Sequence, residues 1–124
     1  MKVLELVLVA ALAACGREAT PPVSSSPVVT LPDGLSRVVD ASSVCMVTDR
    51  VMRTPQFPVV VNDRTYYGCC AMCKDRLLRE TAARWGRDPA TGEPVDKATA
   101  LLIRDASGRV MYFASEATLR RFAE

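Results

Sequence analysis

The chain contains no histidine. That absence removes the usual general base near neutral pH, and with it the serine–histidine–aspartate and cysteine–histidine catalytic arrangements. It also removes imidazole as a metal ligand, so any soft-ligand chemistry must run through sulfur or carboxylate. An excess of one charge is missing too. The 16 basic and 14 acidic residues leave a formal +2 and are spread along the sequence, without the basic stripe of a nucleic-acid binder, so no nucleic-acid partner is expected. There is no phosphate-cradling glycine loop and no pair of carboxylates set for acid–base work. Asp88 and Asp96 flank a turn and read as solvated or capping. The chain is therefore not expected to be an enzyme, and its 124 residues suit one small domain or two very small ones.

A long hydrophobic run is also lacking. The apolar stretch from Val3 to Ala14, interrupted only by Glu5, is about 12 residues long, where a permanent membrane span needs about 20, but it suits a secretory leader. It ends Leu12-Ala13-Ala14-Cys15-Gly16, which resembles the bacterial lipobox. The resemblance implies cleavage after residue 14 and a lipid on Cys15, hence a signal peptide at 1–14 and a membrane partner held through the anchor. Gly16 is not the aspartate that retains some lipoproteins at the inner membrane, so the expected place is the periplasmic face of the outer membrane. Residues 15–39 carry Pro21, Pro22, Pro27, Pro32 and the serines 24–26, and read as an extended tether. Folded structure is expected to begin between about residues 33 and 42.

From residue 40 the pattern is strand, turn, strand, helix, twice over. Val59–Val61 and Thr65–Tyr67 flank Asn62-Asp63, a hairpin signal. Leu77, Leu78, Thr81, Ala82 and Trp85 then fall at helical spacing from Cys70 onward, with Gly86 placed as a C-cap. Downstream, Thr99–Ile103 and Arg109–Phe113 flank Asp105–Gly108, and Ser115 stands as the N-cap of a helix ending near Phe122. Aligned by element, Tyr67 meets Tyr112, Cys69 meets Ala114, Cys73 meets Thr118 and Leu77 meets Phe122, while Cys45 falls on Thr91. The expected fold class is α+β, with two small tandem ββα units packed together, 40–87 carrying cysteines and 88–124 without them.

Apart from Cys15, the thiols are Cys45, Cys69, Cys70 and Cys73. Any full disulfide pairing must join two of the last three. Positions 69 and 70 bridge only through a strained vicinal loop, and 69 and 73, if helical, hold their Cβ atoms about 5–6 Å apart, beyond the roughly 3.5–4.5 Å of a disulfide. One disulfide from Cys45 remains feasible, and with it an adaptor lipoprotein that holds no metal. A metal suits the spacing better: two thiolates four residues apart at a helix start can reach one ion, and Cys45 can add a third. A helix N-terminus also favours thiolates. Sulfur without imidazole selects Zn(II) or Cu(I), one ion per chain, with Cys70 as fourth ligand or spare thiol. Met46 and Met72 are further sulfur donors, read first as core filling. Cys70-Ala-Met-Cys73 satisfies C-x-x-C, but the βαβ pattern of a thioredoxin-like fold is missing.

One cysteine, about twenty residues with a hairpin, an aromatic pair, then C-x3-C opening a helix: Cys45, Tyr66, Tyr67, Cys69, Cys73 and Leu77 together resemble the TRASH and YHS family of small metal-associated modules. The second unit resembles the same pattern outside its cysteines, DPATGEPVDKATA at the opening and MYFASEATLRRF at the close. Gly68 and Leu77 depart from it, standing where the family has aromatics. The resemblance implies a zinc-ribbon-like or treble-clef-like unit with Cys45, Cys69 and Cys73 as ligands. It further implies work in heavy-metal trafficking, sensing or resistance, with a metal transporter or metalloprotein as partner.

Overall fold

The structure is a computed structural model and describes residues 31–124. The lipobox-like segment with Cys15, the leader and most of the tether lie outside the described residues. Among the described residues, four small antiparallel sheets and three helices give a mixed α+β architecture. In chain order these are β1 (Ser36–Arg37), a 3-10 turn (Ala41–Ser43), β2 (Val44–Cys45), β3 (Arg50–Val51), β4 (Phe57–Val61), β5 (Arg64–Gly68) and α1 (Ala71–Arg79). Then follow α2 (Thr81–Arg84), β6 (Trp85–Arg87), β7 (Pro94–Asp96), β8 (Leu101–Arg104), β9 (Val110–Phe113) and α3 (Glu116–Ala123). β2 pairs with β3, β4 with β5 and β6 with β7, and the remaining sheet has the order β1-β8-β9. Within the stretch read as tether, Ser36 and Arg37 are already strand, registered on Arg104 and Ile103. Arg37 also grips Glu116 of α3 through both guanidinium nitrogens, at 2.6 and 2.7 Å.

The β4–β5 hairpin follows from its turn. Asn62 and Asp63 sit at φ 50° and 62°, the paired positive values that a two-residue loop matching strand twist demands, and Val61 registers on Arg64 across them. Ser115 caps α3 as expected: its hydroxyl accepts the Thr118 N–H at 3.3 Å, and the Thr118 hydroxyl accepts the Ser115 N–H at 3.3 Å.

The first helix is shorter than its apolar spacing predicts. It stops at Arg79, Glu80 turns extended, and after the single turn of α2 the chain enters β6, so Trp85 and Gly86 are strand rather than helix end and C-cap. Two interactions explain the break. Arg84 Nη1 donates to the Leu77 carbonyl at 2.7 Å, taking up an acceptor that a continuing helix would have used. Trp85 and Gly86 meanwhile pair with Asp96 and Val95. Gly86 serves close approach, since a Cβ there would stand 3.1 Å from the Tyr112 ring.

One cluster of Val44, Met46, Val59, Tyr66, Leu77, Ala83, Leu102, Val110 and Tyr112 forms the main core, drawing on both the 40–87 and the 88–124 segments. A smaller one joins Ile103, Phe113 and Leu119 under α3. The two segments thus bury their apolar faces against each other, and neither encloses the main core alone.

Candidate metal centre

Cys45 ends β2 and opens a tight turn in which the Asp49 N–H donates to the Cys45 carbonyl at 2.8 Å. Cys69 follows β5 directly, Cys70 is the N-cap of α1, and Cys73 lies one turn inside that helix. Strand, turn and helix start therefore deliver three sulfurs to one point. The Sγ atoms of Cys45, Cys69 and Cys73 all lie within 4.8 Å of one another, with Cys73 at 3.6 Å from Cys69 and 3.9 Å from Cys45. Thiolates bound at about 2.3 Å stand about 3.8 Å apart around a tetrahedral ion and about 4.0 Å apart in a trigonal plane. The spacing fits an ion at the centre of the three. It is far too long for a disulfide of about 2.05 Å, and all four described cysteines are free.

The electrostatics prepare one thiolate. Burial alone would raise the Cys45 pKa, but the Thr48 hydroxyl and the N–H groups of Thr48, Val47 and Cys69 face its sulfur and hold it at about 7. Burial, and then the sulfurs of Cys70, Cys69 and Cys45, push Cys73 up to about 12. The Cys73 thiol favours the Cys69 thiolate, yet the Cys45 sulfur and burial outweigh it, and Cys69 also lies above its ordinary value. Three sulfurs this close cannot all carry charge without a cation among them, and a cation that binds there displaces their protons.

Two features hold the sulfurs in place, Gly68, noted in the sequence only as a departure from the pattern, and Lys97, which the sequence did not single out. A Cβ on Gly68 would stand 3.0 Å from Cys73 Cβ and 3.2 Å from both the Cys73 carbonyl carbon and the Lys74 nitrogen. Only glycine lets β5 come so close to the first turn of α1, and with it Cys69 to Cys73. The second feature is Lys97, 6% exposed, whose Nζ donates to the Met46 carbonyl at 2.6 Å and to Asp49 Oδ1 at 3.0 Å. It lies 5.1 Å from the centre of the Tyr112 ring, whose hydroxyl also donates to Asp49, at 2.7 Å. The Val110 N–H donates to the Asp49 carbonyl at 2.8 Å. The Cys45 turn is thus clamped from the segment that has no cysteines. A lysine between Asp96 and Ala98 gives no sequence signal of this, whereas a glycine ending a strand just before a cysteine does invite the question.

Cys70 is not in the three-sulfur group. Its thiol is half-exposed at the start of α1 and is held below its ordinary pKa by the Cys73 N–H and thiol. Met46 is core, and Met72, on the first turn of α1, is 71% exposed. The two aspartates are neither solvated nor helix caps: both are buried and accept N–H groups of the turns they head. Asp88 is wholly buried, accepting the N–H groups of Ala90 and Ala114 at 2.8 and 2.9 Å. Asp96, 7% exposed, accepts the Ala98 N–H at 2.9 Å and the Tyr66 hydroxyl at 2.9 Å and pairs with Arg64.

Fold and site together define a small α+β module with a three-cysteine group able to hold a metal ion. No family model, curated protein or solved structure matches the chain. Among the described residues, no helix is long and apolar enough to cross a membrane.

Proposed function

We propose that this chain binds one soft metal ion, Zn(II) or Cu(I), through Cys45, Cys69 and Cys73, and handles heavy metal at the bacterial cell envelope. The observation that carries the reading is the sulfur triangle with edges of 3.6 and 3.9 Å, in a chain without histidine. Three thiolates and no imidazole suit these ions and not Mg or Ca. The half-exposed Cys69 leaves one side of the triangle open, where a fourth ligand, Cys70 or a partner's donor, can approach.

The wider reading has separate supports. Residues 12–16, Leu-Ala-Ala-Cys-Gly, support a lipid on Cys15 and a place at the outer membrane. The five matched positions Cys45, Tyr66, Tyr67, Cys69 and Cys73 support a TRASH/YHS-type module, which brings trafficking, sensing or resistance as its role and a transporter or metalloprotein as its partner. The tandem ββα reading is supported by β4–β5 followed by α1 and β8–β9 followed by α3. A binding role without catalysis is supported by the engagement of both buried aspartates in hydrogen bonds of the fold.

Native mass spectrometry of protein purified without oxygen, titrated with Zn(II) and with Cu(I), tests the central claim. One ion per chain is expected, lost on Cys73→Ser. A folded wild-type protein with free thiols that takes up neither ion refutes it.

A further inference from the structure

The cysteine-free segment contains a turn built like the Cys45 turn. Asp49, four residues after Cys45, has φ 56° and donates its N–H to the Cys45 carbonyl at 2.8 Å. Gly92, four residues after Asp88, has φ 74° and donates its N–H to the Asp88 carbonyl at 2.7 Å. Val44 pairs with Val51 and Cys45 with Arg50; Arg87 pairs with Pro94, and the Asp88 N–H donates to the Glu93 carbonyl at 2.9 Å. By backbone geometry the residue answering to Cys45 is therefore Asp88, and not Thr91 as the sequence alignment has it.

The side chains follow the same plan. The N–H groups two and three residues on face the anion in each turn: Val47 and Thr48 toward the Cys45 sulfur, Ala90 and Thr91 toward the Asp88 carboxylate. The next donor is the N–H just before a helix N-cap, Cys69 in one case and Ala114, 2.9 Å from Asp88 Oδ2, in the other. The third residue of that helix stands beside the anion in each case: Cys73 Sγ is 3.9 Å from Cys45 Sγ, and the Thr118 side chain lies near enough to Asp88 to help hold its carboxyl below the ordinary value. Cys45 and Asp88 are both wholly buried.

We infer that Asp88, Ala114 and Thr118 form a second site of the same build as Cys45, Cys69 and Cys73, in which a fixed carboxylate takes the donors that the first site offers to a thiolate. Each turn is a cradle for a buried anion. In the second site the anion is permanent and its partners are hydrogen-bond donors, so no ion is needed. In the first the anion is a sulfur with two more sulfurs beside it, an arrangement that a soft cation completes. The inference deepens the metal reading and rests on it for what the first cradle holds. It implies that restored thiols give the second cradle the same ligand class, a soft cation such as Zn(II).

The test is gain of a site. Ala114 is exposed and Thr118 half-buried, so Ala114→Cys with Thr118→Cys leaves the core untouched while keeping Asp88, whose carboxylate is itself a zinc ligand. The full chain carrying this pair, and a second version adding Asp88→Cys, are titrated with Zn(II) and Co(II). Native mass spectrometry counts ions, and the sulfur-to-cobalt absorption reports thiolate ligation. One more ion than wild type is expected in each variant that circular dichroism shows folded. A folded double variant that binds no more than wild type overturns the inference. If wild type binds no ion and the double variant binds one, the reading of the cysteine group fails and the equivalence of the two cradles stands. If wild type binds one and the variant also one, the reverse holds.

Discussion

Replacing Gly68 by alanine separates the geometry of the candidate metal centre from the stability of the fold. The added methyl would meet Cys73 Cβ at 3.0 Å and two backbone atoms of α1 at 3.2 Å, where ordinary contact begins at 3.4 Å. Two of the three obstacles are main chain and cannot swing aside. Overpacking of this kind costs about 1–3 kcal/mol. Without metal the helix start can draw back from β5 by a few tenths of an ångström and release much of that strain. With metal it cannot, because Cys69 and Cys73 must return to about 3.6 Å. The strain is then charged to binding, and at about 1.4 kcal/mol per factor of ten it weakens affinity about 5- to 140-fold. Competition titrations against a chromophoric chelator measure the affinity, and urea unfolding in chelator measures apo stability. A Gly68→Ala protein whose zinc affinity stays within twofold of wild type, at unchanged stoichiometry, refutes the close-approach argument.

The Lys97→Met substitution removes the donor to the Met46 carbonyl and Asp49 and loosens the Cys45 turn; a loss of about 10- to 100-fold in metal affinity is expected, while Arg76→Ala, breaking the exposed Arg76–Glu80 pair, leaves affinity unchanged in the same titration. Metal uptake releases protons, and since Cys45 titrates at about 7 and Cys73 at about 12, the number released falls by about one as pH rises through 7; calorimetry in buffers of different ionisation enthalpy reads it, and a count constant from about pH 6 to 8 contradicts the assignment. Burial alone would raise Asp88 and Asp96, but the Ala114 and Ala98 N–H groups, with the other partners of each, hold both below the ordinary carboxylate value. The stability they contribute is present above about pH 4 and lost as pH falls further, so Asp88→Asn lowers the neutral thermal midpoint and flattens the acid limb of its pH profile.

The parts of this structure that are legible in the sequence are those decided by near neighbours. Asn62-Asp63 sets a turn whatever lies around it, and Ser115 caps α3 with a partner three residues away. The grouping of Cys69 with Cys73 needs only one helical turn. What escapes is decided across the chain. The apolar spacing through Trp85 is real, yet pairing with Asp96 pulls Trp85 into a strand, Ala83 is buried where Ala82 was expected, and Leu78 is 54% exposed. Of the tyrosine pair, Tyr66 faces the core and Tyr67 is half-buried, while in β9 Tyr112, aligned with Tyr67, is buried and Met111, aligned with Tyr66, is half-buried. Such a change of face leaves no mark in residue type. Thr91 drew the eye by its place in DPATG, but the donors of the turn converge on Asp88 at its head.

The uneven burial of the three sulfurs bears on speed as well as strength. Cys45 and Cys73 are sealed inside, and Cys69 alone is half open to solvent. An ion held among them has one door. With an ion bound, an incoming thiol on another molecule would reach it from the Cys69 side while Cys45 and Cys73 still held it, and the residence time would then depend on the concentration of the acceptor. A centre that holds tightly when alone can thus empty quickly on encounter, without the fold opening.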